Sequence, residues 1–149
     1  MRNIVLALSL FLISCNDNTH NDLLIKKQIT DITNEYNKIC QTLKVERIAE
    51  FHSDKNFIYY WHGGLACSNN ADFRKLFTTI LSATTEWSMK TSEPVVQVVG
   101  EDAAIISFTF EAESVEINGT RSKESGALTY IWNKTNDKWK IVHVHESAK

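Results

Sequence analysis

The chain has no surplus of basic residues: 16 Lys and Arg stand against 18 Asp and Glu in 149 positions. Proteins that hold nucleic acid through its phosphates concentrate such a surplus, so nucleic acid is excluded as the main partner. No Gly-rich phosphate loop, Ser nucleophile elbow or zinc-binding Cys motif is present, which removes the usual signatures of nucleotide, acyl-transfer and structural-zinc chemistry. The longest apolar run lies near Met1 and is too short to cross a bilayer. The single proline, Pro94, suits the start of a strand or a sheet edge. No internal repeat and no second domain can be traced. A disordered chain would be poor in aromatics, whereas 10% of this one is aromatic and four residues are Trp.

What is present fits one globular domain behind an address segment. Residues 1–14 carry one positive charge, Arg2, followed by an acid-free apolar stretch from Ile4 to Ile13. This is the pattern of a short secretory signal peptide. Its close, Leu12, Ile13, Ser14 and Cys15, resembles the lipobox of bacterial lipoproteins, which implies that Cys15 is lipidated and becomes the first mature residue. Two or more acyl chains there would anchor the protein stably to a membrane. The expected location is the bacterial cell envelope, on the periplasmic face or the outer membrane. Residues 15–21 are polar and read as a tether, leaving 22–149 as the domain. An exported compartment would let Cys40 and Cys67 pair. Cys40, however, falls on the apolar face of an expected helix, which favours two unpaired thiols.

From Ile25 the apolar positions Ile29, Ile32, Tyr36, Ile39, Cys40 and Leu43 recur at steps of three and four, which predicts a helix over 22–44. A short helical turn is expected over 45–51. Phe57 to Trp61 reads as an aromatic strand stopped by Gly63 and Gly64. Asn69 or Asn70 can cap a third helix over 71–82. The remainder reads as strands: 85–89 leading to Pro94, 95–99, 103–115, then Asn118-Gly119 as a hairpin turn, 120–134 and 139–147. Helices first and antiparallel strands last make the class α+β, with three helices packed on one face of a curved sheet.

This order resembles the nuclear transport factor 2-like superfamily, and in particular its SnoaL-like bacterial members. The similarity is strongest at Gly100 to Ile106 and in the closing hairpin, Thr129 to Trp132 followed by Lys138 to Ser147. The ending His143-Val144-His145-Glu146-Ser147 is similar to that of the calcium/calmodulin-dependent kinase association domain. The resemblance implies a cone enclosing a pocket, and a homodimer formed through the sheet. In the kinase association domain three arginines line that pocket; their places here fall to Phe110, Tyr130 and Glu146. This departure argues against an anionic ligand and favours a small, mostly apolar guest with a hydroxyl or amine to bond Tyr130 or Glu146.

The ligand-pocket residues expected are therefore Tyr60, Trp87, Phe108, Phe110, Tyr130 and Glu146. A buried Glu146 would have a raised pKa. His143 and His145 share a strand face and could supply two metal ligands, but no third has readable spacing. Glu111 and Glu113 read as a solvated face. No metal and no cofactor is expected. Whether Tyr130 and Glu146 share a face depends on the turn at Asn136-Asp137. A two-residue hairpin would pair Tyr130 with His143; a three-residue loop with a bulge would pair it with Val142 and put Tyr130, Val144 and Glu146 together. The bulged loop is the expectation, from the resemblance. The leading reading is a lipid-anchored, dimeric ligand-binding cone with no required chemistry. The alternatives are an isomerase or dehydratase using a pocket acid or His with Tyr130, and a homo-oligomeric assembly module.

Overall fold

The computed structural model describes residues 16–148. The expected signal peptide, 1–14, and the lipidation site Cys15 lie outside the described residues. Helix α1 (Asn16–Cys40) begins earlier than the periodicity predicts, so the polar run read as a tether is helical from Asn16. Its apolar stripe does what the spacing requires: Ile25, Ile29 and Tyr36 are buried, and Ile32, Ile39 and Cys40 pack beside them. The helix stops at Cys40, short of Lys44, and the chain turns through Leu43 at φ 56°. Helix α2 (Val45–Ala49) follows. Helix α3 (Asn70–Ser82) is capped by Asn69, whose side chain accepts from the Asp72 amide at 2.8 Å.

The strands are β1 (Ile58–Trp61), β2 (Gly64–Cys67), β3 (Thr84–Thr91), β4 (Val95–Gly100), β5 (Ala103–Glu116), β6 (Arg121–Thr135) and β7 (Lys138–Ala148). They form a single sheet in the order β2-β1-β7-β6-β5-β3, with β4 also on β5. β2 is an addition to the sequence reading. The aromatic strand ends at Trp61 as expected, and His62 and Gly63, at φ 49° and 77°, turn the chain back tightly so that Trp61 pairs with Gly64 at the start of β2. β3 and β4 are one long strand interrupted at Ser92–Pro94, since Thr91 pairs with Phe110 and Val95 with Ser107 along the same neighbour. Ser92 bridges the break: its amide donates to the Thr109 carbonyl at 2.9 Å and its hydroxyl accepts from the Thr109 amide at 3.0 Å. β1 runs parallel to β7, and the other pairings are antiparallel.

The closing hairpin corrects one expectation while keeping its consequence. Asn136 and Asp137, both at positive φ, make a two-residue turn with Thr135 opposite Lys138, not a three-residue loop. The extra residue enters higher in the ladder, where Trp132 pairs with Ile141 and Ile131 with His143, leaving Val142 as the bulge. Beyond it Tyr130 pairs with Val144 and Leu128 with Glu146. Directly opposed residues share a sheet face, so Leu128, Tyr130, Val144 and Glu146 all point inward. The class is α+β, with the helices on the concave face of an open, curved, mostly antiparallel sheet, as the helix-then-strand order implies.

Candidate functional site

The concave face is filled unevenly. Trp132, Ile106, Ala104, Ile141, Phe57 and Ile29 are fully buried and pack solid against one another and their neighbours. Elsewhere the side chains stop short and enclose a cavity of about 240 Å³. β5 supplies Phe110, Ala112 and Ser114; β6 supplies Glu124, Leu128 and Tyr130; β7 supplies Val144 and Glu146. Tyr59 and Trp61 come from β1, Trp87 and Met89 from β3. The helical side is Tyr36 and Cys40 of α1, Ile48 of α2, and Phe73, Phe77, Ile80 and Leu81 of α3.

The aromatic rings of this lining are organised. Tyr59 and Trp61 stack nearly parallel, 6.4 Å apart, and Phe77 lies 5.6 Å from Tyr59 and 6.2 Å from Trp61. Tyr36 meets Tyr130 edge-on at 5.4 Å, and Phe108 meets Tyr130 in the same way. Cys40 opens onto the cavity but sits among apolar groups, so burial pushes its thiol up to about 12 and keeps it protonated. Cys40 and Cys67 are both free.

Glu146 is the polar centre. The Tyr59 hydroxyl donates to its Oε2. Burial raises the Glu146 carboxyl above its ordinary range; the Tyr59 hydrogen bond pulls it back, Glu124 adds to the rise, and His62 and Trp61 oppose it. Burial likewise holds the Tyr59 hydroxyl protonated, reinforced by the carboxylate beside it. Tyr130 directs its hydroxyl to Asn37 Oδ1 at 3.4 Å instead of toward Glu146. At the rim His62 Nε2 lies 3.4 Å from Glu124 Oε1. Among the described residues the lining thus contains two carboxylates and no Lys, Arg or His.

Of the six residues the sequence proposes, Trp87, Phe110, Tyr130 and Glu146 line this cavity. Phe108 is buried on the same face, edge-on against Tyr130, but is not part of the lining. Tyr60 is misplaced: it lies on the opposite face, stacked on His143 at 5.7 Å and His145 at 6.2 Å, and its neighbours Tyr59 and Trp61 take the inward positions. All five residues from Phe57 to Trp61 are apolar or aromatic, so alternation cannot say which of them point inward; the pairing of Tyr59 with Val144 decides it. Glu124 was legible in principle, since it stands an even number of positions from Tyr130 on one strand. His143 and His145 face away from the cavity, and among the described residues no group of three His, Cys, Asp or Glu side chains could hold a metal ion. Glu111 and Glu113 are exposed, with Glu113 paired to Lys123 at 2.7 Å.

The sequence profile of the calcium/calmodulin dependent protein kinase II association domain matches residues 25–149. The chain belongs to that family. A calcium/calmodulin-dependent protein kinase type II alpha chain from Drosophila melanogaster is 33% identical over 55 residues, which are 37% of this chain and 10% of the kinase. The chain therefore spans about a tenth of the length of the curated relatives it matches. Among solved structures, a nuclear transport factor 2-like protein of Salmonella enterica superposes with a TM-score of 0.76 at 23% identity, covering 85% of this chain and 92% of that one. The association domain of the C. elegans kinase gives 0.67 at 19%, covering 83% and 95%. A hexachlorocyclohexane dehydrochlorinase gives 0.74 at 12%, covering 88% and 89%. At these identities the likeness establishes the nuclear transport factor 2-like fold.

Proposed function

We propose that this family member binds a small, mostly apolar molecule in the cavity between the helices and the concave sheet face. The carrying observation is that Phe110, Tyr130 and Glu146, from three adjacent strands, meet in one aromatic-walled space of about 240 Å³. An engineered cavity of about 150 Å³ already takes up benzene, so this one suits a guest slightly larger than a single ring. The family name and the apolar positions on the outer sheet face, Ile58, Tyr60 and Val95, support self-association of the chain through that face. The lipobox-like residues Leu12 to Cys15 support anchoring at the bacterial envelope by lipid on Cys15.

Gentle extraction in mild detergent followed by native and denaturing mass spectrometry tests all three points. The expected result is an oligomer that carries a reproducible extra mass lost on denaturation, with a covalent acyl mass on a chain beginning at Cys15. An empty protein with no affinity for apolar probes overturns the ligand reading, a monomer overturns self-association, and an unmodified Cys15 overturns the anchor. A second reading, acid–base catalysis of a dehydration or isomerisation, is favoured by the half-buried Glu146 carboxyl and its raised pKa. Its hydrogen-bond donor would be Tyr59, which touches Glu146, in place of the Tyr130 expected from the sequence. That reading requires Glu146→Gln to abolish turnover while leaving the fold intact.

A further inference from the structure

The ligand reading leaves open what chemistry the guest brings, and the charges of the lining narrow it. Glu146 and Glu124 both reach the cavity from the sheet, and among the described residues no Lys, Arg or His lines it. The nearest cationic candidate, His62, lies half-exposed at the rim and engages Glu124 from outside the lining. One oxygen of Glu146 is taken by the Tyr59 hydroxyl. Beside that carboxyl stand the Tyr59, Trp61 and Phe77 rings, within 6.4 Å of one another. Carboxylates withdrawn from water are costly unless a cation compensates them, and electron-rich ring faces attract the same kind of group. An anionic guest would meet two like charges in a low-dielectric space. A neutral hydrocarbon would fill the rings but leave the more buried Glu146 carboxyl without a cationic partner.

We propose that the ligand of this cavity is an apolar amine bound as its ammonium, with the charged nitrogen between Glu146 and Glu124 against the Tyr59 and Trp61 rings and the apolar body toward Phe110, Leu128 and Met89. This rests on the ligand-binding reading above and assigns its chemical class. The ammonium has three donors, and the Glu146 oxygen not held by Tyr59 and the Glu124 carboxylate supply acceptors. Phe110 and Leu128 are buried apolar walls that can surround a ring or short alkyl chain.

The test uses the full-length protein in mild detergent and three probes of nearly one size: 2-phenylethylamine, 2-phenylethanol and 3-phenylpropionate. Binding is read from the fluorescence of Trp61 and Trp87, which line the cavity, and confirmed calorimetrically. The amine is expected to bind at least about tenfold more tightly than the alcohol, and the carboxylate more weakly than either. Glu146→Gln is expected to remove the preference for amine over alcohol, with the amine losing the larger share of its affinity. Glu124→Gln, at the more exposed carboxylate, is expected to reduce the preference in part and serves if Glu146→Gln does not fold. Equal binding of amine and alcohol, or preference for the carboxylate, overturns the amine assignment and leaves the apolar-ligand reading standing. Failure of all three probes to bind, with no retained mass in the native spectrum, overturns both.

Discussion

Two tyrosines each hold a titratable partner inside this fold, and the pairs differ in what lies beyond them. The Tyr36 hydroxyl meets His52 Nε2 at 3.0 Å, and the His52 ring is stacked on Phe57 at 4.0 Å and abutted edge-on by Phe73 at 4.3 Å. His52 has no space around it, and burial drives its pKa down to about 3, so it stays neutral. The Tyr59 hydroxyl meets Glu146, whose other side opens onto the cavity. A tyrosine beside a titratable group is therefore a packing device where rings close both faces of the partner, and a candidate binding device where one face is left open.

Truncations separate the two regions most strongly. Trp132→Ala removes a fully buried ring from the solid region and is expected to cost about 3–5 kcal/mol in urea unfolding. Phe77→Ala removes a half-buried ring from the cavity wall, where space already exists, and is expected to cost clearly less while weakening binding. Equal losses would mean that the cavity region is packed as tightly as the rest. Next comes Gly126, which lies between Glu124 and Leu128 on the inward face. A Cβ there would meet the Ser147 carbonyl oxygen at 2.0 Å, so β7 must move away. Gly126→Ala is expected to cost about 1–3 kcal/mol and to displace Glu146 from Tyr59 while leaving the His52 region unchanged. Chemical-shift changes confined to the cavity side would show that asymmetry, and changes spread evenly would refute it.

The two titratable groups also give stability opposite slopes with pH. The His52 pKa is lower folded than unfolded, so between about pH 6.5 and 3 the unfolded chain binds the extra proton. Stability falls as the pH is lowered through that window, by at most about 1.4 kcal/mol per unit from this group. The Glu146 pKa is higher folded than unfolded, so the folded chain holds the extra proton and its contribution is lost as pH rises above the unfolded carboxyl value. His52→Gln is expected to flatten the acid limb and Glu146→Gln the rise-related loss, each measured by urea midpoints across pH 3–8. A shared slope that neither variant changes would assign the pH dependence to other groups.

The sequence made the solid region more legible than the open one, for a physical reason. Solid packing comes from periodicity: α1 buries Ile25 and Ile29 at helical spacing, and β5 buries Ala104, Ile106 and Phe108 at alternate positions. The cavity instead depends on which residues of neighbouring strands stand opposite each other. That is set by the bulge at Val142 and by the parallel pairing of β1 with β7, neither of which leaves a mark in composition. Phe110, Tyr130 and Glu146 could be found because the family resemblance carried their positions. Tyr59, Trp61 and Cys40 could not, since they come from segments matched only by pattern.

The weakest expected effect tests the assignment of faces in β1. Tyr60 stands between Tyr59 and Trp61 in sequence, yet its ring stacks on His143 and His145 across the sheet from the cavity. Tyr60→Ser removes a partly exposed ring without touching the inward side, so the fold and the amine affinity are expected to stay essentially unchanged. Tyr59→Phe, which deletes only the hydroxyl that donates to Glu146, is expected to alter affinity with the backbone unchanged. If Tyr60→Ser weakened amine binding as much as Tyr59→Phe, β1 would be offset by one residue against β7. That slip would exchange every side chain of the strand between the two faces, and the wall beside Glu146 would be drawn from Ile58 and Tyr60, with one aromatic ring in place of two.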